Sequence, residues 1–507
     1  MRISSRWVVV LVALKKLSSF LGILLRPRQF VHAMDDRFQY AGHGLASKWQ
    51  ALTRFQRHVL TNMLIGLGIA IGLTLLHGNK TLRDLEDGGV DWAMRLYRGT
   101  PSSVMNVPMV LFDIDEKTHR SWGEPVSTPR DKLLDLIRLA VESQAAVVVV
   151  DIDVSRRLSD TNADNALKDY LAGLSACGEN PKQACAGKPL IVLMRTFHGQ
   201  LPAEKEFLRQ QRASFLDDVV ARSANIVWAN PAFFRDWDGV VRRWLLWEPT
   251  CRDQVPHALP SVQLAVAAYL TEKELGVRTL LAQLDSLRPE TCKKSADFIE
   301  LSERSADKIM DLGKHQINLR DVTLQQRILY RIPWLIKAEA KAKIDFNGQK
   351  VDVFSTRTAH SLTDAKQPID TQSLKGRIVL IGNSTQDSRD FYQTPLGKIM
   401  PGVVILSNAI HSLMEHGQFR PPSLWLKLVI EALLILIMSY LFARFNSFWG
   451  MFISGLTIVV ALIPLSVWMF GQGLWIDFAI PLLAVELHEM AAEFETSVKQ
   501  KKELEHG

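Results

Sequence analysis

The 507-residue chain has no Walker lysine loop, no Gly-x-Ser-x-Gly elbow and no His-Glu-x-x-His pair, so the common signatures of hydrolysis are missing. It has only four cysteines, and none stands in the Cys-x-x-Cys spacing that zinc sites use. No cleavable leader is expected, because the apolar run 7–14 is too short and Lys15-Lys16 follows at once. No internal repeat or long low-complexity run is present. Charged residues make up 22% against 47% hydrophobic, which excludes a disordered chain. A mean hydropathy of +0.04 excludes burial in lipid along the whole length. The most telling absence is local: across 58–77 there is no Asp, Glu, Lys or Arg.

That run is one of four that reach the roughly 20 apolar residues a bilayer requires. The others are 423–442, 448–470 and 474–492, the last with Asp477 near one end and Glu486, His488 and Glu489 near the other. Residues 1–57 carry ten Lys or Arg against Asp35 and Asp36, a net +8 in a chain of net +7, so the remainder is close to neutral. Positive-inside bias keeps that tail in the cytoplasm and places 78–422 on the far side. The chain then returns through three spans to a short cytoplasmic tail, 493–507. A basic tail also suits nucleic acid, but here the charge sits where topology needs it, and no nucleic-acid partner is expected. Between Lys15 and Arg26 a polar side (Lys15, Ser19, Gly22, Arg26) opposes Leu17, Phe20, Leu21 and Leu24. That pattern fits a helix in the membrane interface or one that binds a partner. Within the second span Lys427 and Glu431 stand at i and i+4, where a buried carboxylate needs a partner.

The external segment predicts an α/β fold with a mostly parallel sheet and flanking helices. Strands are expected at 107–113, 145–151, 190–194, 225–228 and 377–382, as Val/Ile/Leu runs without alternation. Helices are expected from Pro129 to Ser143, over 259–282 and over 403–416. Residues 284–330 read as a charged helical insertion. Ligands collect at the carboxyl ends of such strands, and the ends here are polar: Asp113 and Asp115, Asp151 and Asp153, then Gly382-Asn383-Ser384 with Asp390 beyond. With Arg130 at a helix start, these are the candidate ligand-binding residues. The alternative is that they cap helices and close turns. The Asp-x-Asp pairs resemble the haloacid-dehalogenase pattern, but Lys117 breaks the first and Ser155 is a near miss in the second, so no enzyme is expected. All four cysteines (Cys177, Cys185, Cys251, Cys292) fall in this segment, and three pairings are possible. Cys177–Cys185 with Cys251–Cys292 is the expected set, with free thiols the alternative.

Taken in order, several fragments resemble the type-2 CHASE domain, a sensory extracellular domain associated with cyclases and histidine kinases in bacterial receptors. They are Leu85-Glu86 with Asp91, Met94 and Arg95; 110–115 with Trp122-Gly123 and Pro129-Arg130; Val148 to Asp151; and Asp236-Trp237-Asp238-Gly239 with Arg242-Arg243 and Pro260-Ser261. The most specific stretch is 376–382 followed by Asp390, Thr394-Pro395, Met400-Pro401-Gly402-Val403 and Asn408-Ala409. The resemblance implies a sensor in a bacterial inner membrane, its head in the periplasm, binding an unknown ligand and needing no cofactor. Such domains usually continue into a kinase or cyclase. Here about fifteen residues follow the fourth span, so a separate cytoplasmic effector is the expected output partner, beside the bilayer and a possible second copy. The competing expectation is an envelope scaffold or membrane-complex subunit.

Overall fold

The structure, a computed structural model, describes residues 51–76, 80–96, 107–158, 160–175, 187–199, 207–231, 233–293, 309–313, 315–319, 326–334, 343–364, 370–419, 422–445, 447–488 and 490. It divides into two compact units. One comprises 92–421 with 471–474, and the other the remaining chain.

The first unit is built on six strands: β1 (Met109–Ile114), β2 (Val147–Asp151), β3 (Leu190–Met194), β4 (Ile226–Ala229), β5 (Phe354–Thr358) and β6 (Ile378–Asn383). They pair in the order β5-β1-β6-β2-β3-β4, every pair parallel. Parallel strands bury both faces, which is why β1, β2, β3 and β6 read as unbroken Val/Ile/Leu runs. β5 is the exception. Its sequence, Phe-Ser-Thr-Arg-Thr, lies on the sheet edge and is only half buried, so polar side chains are tolerated there and no strand was expected.

One face of the sheet presents Val110, Phe112, Val148, Val150, Ile191 and Ile381. They pack on Leu133 and Ile137 of helix α1 (Arg130–Glu142) and Leu167 and Leu171 of helix α2 (Thr161–Ser175). The opposite face carries helix α3 (Val262–Asp285) against β3 and helix α4 (Gly402–His416) against β6. The helix expected at 259–282 starts later, because Leu259 and Pro260 belong to a strand, Val255–Pro260, paired with Trp247–Arg252. Ser261 caps α3 instead, and the helix breaks at Glu272 and Lys273. Within 284–330, expected to be helical, the structure departs from that expectation at 309–318. There Ile309–Leu312 and His315–Asn318 form an antiparallel hairpin, whose alternating Met310, Leu312 and Ile317 point inward.

Cys251 and Cys292 form a disulfide with Cα atoms 5.7 Å apart. Cys177 and Cys185 lie outside the described residues, as do 1–50 and 491–507, and with them the basic amphipathic segment, most of the N-terminal tail and the C-terminal tail.

In the second unit three helices are long and apolar enough to cross a membrane: Arg54–Leu75, Trp425–Arg444 and Trp449–Gly471. The fourth expected span shows among the described residues only a shorter apolar helix, Ala479–His488. Gly66 faces Ile435, and Phe55 meets Tyr440 edge-on at 5.8 Å, so the first two helices pack together. Lys427 Nζ lies 3.8 Å from Glu431 Oε1, which gives that carboxylate a partner on its own helix. The first helix opens with a reciprocal cap between Thr53 and Gln56.

Replacing Cys251 and Cys292 together by serine should lower the unfolding free energy by about 2–4 kcal/mol in denaturant titration. An unchanged midpoint would contradict a structural role for that bond.

Candidate functional site

The strand register aligns Asp113, Gly382 and Asp151 in one row across β1, β6 and β2. Residues in register on parallel strands share a face, so a glycine separates two carboxylates on the α4 side. A Cβ at Gly382 would stand 2.5 Å from Val403 Cγ2, so only hydrogen lets α4 lie this close to the sheet. The first residue of α4 repeats the device. A Cβ at Gly402 would fall 2.1 Å from Asp390 Oδ2, so the Asp390 carboxylate occupies the space beside the helix start.

Beyond the carboxyl end of β2 a cavity of about 470 Å³ opens between these groups. Asp151, Asp390, Tyr392 and Gly402 line it. Asn230 and Pro231, which follow β4, also line it, together with Arg209, Glu248 and Phe233, Phe234 and Arg235 of the hairpin formed by the strands Phe233–Arg235 and Val241–Trp244. Glu248 is paired with Arg209 at 3.1 Å and accepts a hydrogen bond from the side-chain amide of Asn230. The hairpin is fastened by its own charges. Arg242 contacts Asp236 at 2.9 Å and Asp238 at 2.7 Å, and Arg243 contacts Asp236 at 2.9 Å.

The electrostatics single out Asp151. Burial first, and then the charge of Asp390, push its carboxyl up to about 7. Asp390 is also raised by burial, although the Tyr392 hydroxyl and the Gly402 amide hydrogen-bond to it and oppose the shift. Burial and the neighbouring Asp390 push Tyr392 up to about 12. Two carboxylates this close in a shielded site resist ionising together, so the pocket retains a proton near neutrality.

The other candidates have different duties. Burial pushes Asp113 to about 6 despite a hydrogen bond from the Ser384 hydroxyl, with the charge of Asp115 adding to the shift, and its Oδ1 has no hydrogen-bond partner among the described residues. Asp113 and Ser384 do not line the cavity. Asp115 caps the helix Glu116–Ser121, accepting from the Thr118 amide at 2.8 Å and its hydroxyl at 2.6 Å. Asp153 accepts from the Ser155 amide at 2.8 Å, and Asn383 from the Thr385 amide and hydroxyl, each at 2.7 Å. Arg130 is not drawn to a strand-end carboxylate. It is buried against Asp164 at 3.2 Å and donates to the backbone carbonyls of Asp153 and Arg156. Burial lowers its affinity for a proton, and Asp164 opposes that. Of the expected set, only Asp151 and Asp390 line the pocket; Gly382 shapes it from beneath.

Sequence reasoning did not find Arg209, Asn230, Phe233, Phe234, Arg235, Glu248 or Tyr392 as site residues. One signal was available: Tyr392 stands two positions after Asp390 and continues into the strand Phe391–Gln393, where alternation puts both side chains on one side.

The CHASE2 domain family matches residues 65–443, most of the chain. The chain belongs to the CHASE2 domain family. The match begins in the first apolar helix and runs through the second, so it spans the whole α/β unit together with its flanking helices. No curated protein and no solved structure matches the chain.

Two predictions follow from this CHASE2 site. Asp151 ionises in the unfolded chain at the usual carboxylate value and in the folded protein only near 7. The folded state therefore holds the extra proton, and the stability linked to it is full below about pH 4 and lost as pH rises through 7. Asp151→Asn should flatten that slope and raise the thermal midpoint above pH 7 by the equivalent of about 1–3 kcal/mol. A difference that does not vary with pH would refute the assignment. Asp164→Asn leaves Arg130 buried without its counter-charge and should cost about 3–5 kcal/mol in denaturant unfolding. A loss below ~1 kcal/mol would mean that the pair is solvated after all.

Proposed function

We propose that this CHASE2 protein is a membrane-anchored sensor whose α/β head lies outside the cytoplasm. It binds a small polar ligand between Asp151 and Asp390 and relays occupancy through its apolar helices to a separate cytoplasmic effector. The observation that carries the binding step is the contrast among the carboxylates. Asp115 is consumed as a helix cap and Asp153 in closing a turn, whereas Asp151 and Asp390 face a cavity at the cost of raised proton affinity. Groups held against their solution preference in a cleft are candidate functional groups.

Membership in a sensory domain family and three apolar helices support a sensor in a membrane. The +8 tail supports a cytoplasmic N-terminus and a head in the periplasm of a bacterial inner membrane. The Cys251–Cys292 bond supports an oxidising compartment. Helix α4 is the proposed carrier. Its first turn packs on Asp390, and only a few residues separate its end at His416 from the start of the next helix at Leu424. Small shifts of such helices are a common switching device. The effector contact is assigned to residues 1–57 or 493–507, and the site is read as binding rather than catalytic.

Reporter fusions within 100–400 should be active only on the outer side of the membrane. Deleting 493–507, or separately 1–50, should abolish the downstream response and crosslinking to a cytoplasmic protein without moving the thermal midpoint. A response that survives both deletions would contradict the relay.

A further inference from the structure

Three ionisable side chains at the CHASE2 pocket are left without an oppositely charged partner once its internal pairs are counted. Glu248 is closed off by Arg209 and Asn230. The side chain of Asp151 makes no hydrogen bond or ion pair to another described residue. Asp390 is hydrogen-bonded by Tyr392 and Gly402, both neutral groups. Arg235 is held with its guanidinium 5.2 Å from the centre of the Tyr392 ring and has no carboxylate within ion-pair distance among the described residues.

Tyr392 is what keeps these charges apart. Its hydroxyl is turned to Asp390 while its ring face carries Arg235, so the acidic and basic sides of the pocket are not paired with each other. An inorganic anion on Arg235 would leave Asp151 and Asp390 uncompensated. A plain amine would satisfy the carboxylates and leave Arg235 unmatched. A metal ion is disfavoured, since no group of three or more His, Cys, Asp or Glu is placed to hold one among the described residues. Phe233 and Phe234 on the hairpin supply apolar surface for the remainder of a ligand.

We propose that this pocket takes a small zwitterion, a free α-amino acid or a short peptide, with its ammonium group between Asp151 and Asp390 and its carboxylate on Arg235. The proposal rests on the sensory reading of the site and adds the chemical class of the ligand. Charge-assisted contacts at both ends define the class, because each end rejects a ligand that lacks its partner charge. A cavity of about 470 Å³ accommodates either source.

The test uses the purified full chain in detergent. Each standard L-amino acid and a set of glycyl dipeptides are titrated by calorimetry and thermal shift. Each binder is then compared with its N-acetyl form, which lacks the ammonium, and its C-terminal amide, which lacks the carboxylate. At least one amino acid or dipeptide should bind saturably, and which of them binds distinguishes the two sources. Both blocked forms should bind about tenfold more weakly or worse. Arg235→Gln, at an exposed position, should weaken the zwitterion by a similar factor and leave its amide unaffected. Asp390→Asn should weaken the zwitterion and its amide alike, while the ligand-free midpoint shows each variant to be folded. A blocked form that binds as tightly as its parent overturns the zwitterion but leaves the sensory pocket standing. No saturable binding by any of these probes overturns it as well. Loss of the downstream response on tail deletion, tested separately, bears only on the relay.

Discussion

The approach of α4 to the carboxyl end of β6 depends on hydrogen-sized side chains at Gly382 and Gly402. The first lets Val403 lie directly over the central strand, and the second leaves room for the Asp390 carboxylate at the helix start. Together they bring Asp390 near Asp151, the last residue of β2, and that proximity sets the electrostatics of the cavity. A methyl group at either position would push the helix outward, because a packed core has no slack at these distances. The Met-Pro-Gly-Val stretch and the Gly-Asn-Ser turn are therefore two halves of one close contact.

The topology explains why this contact lies at the middle of the sheet. β6 comes late in the chain but inserts between β1 and β2, so the C-terminal third of the head completes its centre. Several buried charges elsewhere are matched and serve to hold shape. Arg130 with Asp164 ties the loop after β2, and Arg195 with Asp217 does the same after β3 at 2.5 Å. Arg242 and Arg243 brace the hairpin that lines the pocket. Against that background, the uncompensated carboxylates beside α4 and the unpaired guanidinium across Tyr392 stand out as binding groups.

Much of this was legible in the sequence. The unbroken apolar runs of β1, β2, β3 and β6 announce strands covered on both faces, and their polar endings point to the edge where the pocket opens. The polar edge strand β5 was hidden because its half-exposed side chains carry no hydrophobic pattern. The hairpin at 309–318 was hidden by the charged residues around it. Within the site, Asp151 and Asp390 were legible as strand-end acids, but nothing local distinguishes them from Asp115, Asp153 or Asn383, which close turns. That distinction is made by tertiary packing. Arg209, Arg235, Glu248 and Tyr392 are scattered over almost two hundred residues and meet only in the folded chain.

The central claim is that Asp151 and Asp390 share a shielded space in which burial and their mutual repulsion push the Asp151 carboxyl up to about 7. Infrared difference spectroscopy of the purified protein tests it directly, by following the carbonyl stretch of protonated carboxyl groups as pH is varied. The account predicts a carboxyl component that is lost as pH rises through about 7 and is missing in Asp151→Asn, separate from the Asp113 component lost near 6. A spectrum in which every carboxyl is ionised well below neutrality, or a neutral-pH band unaffected by that substitution, would contradict it.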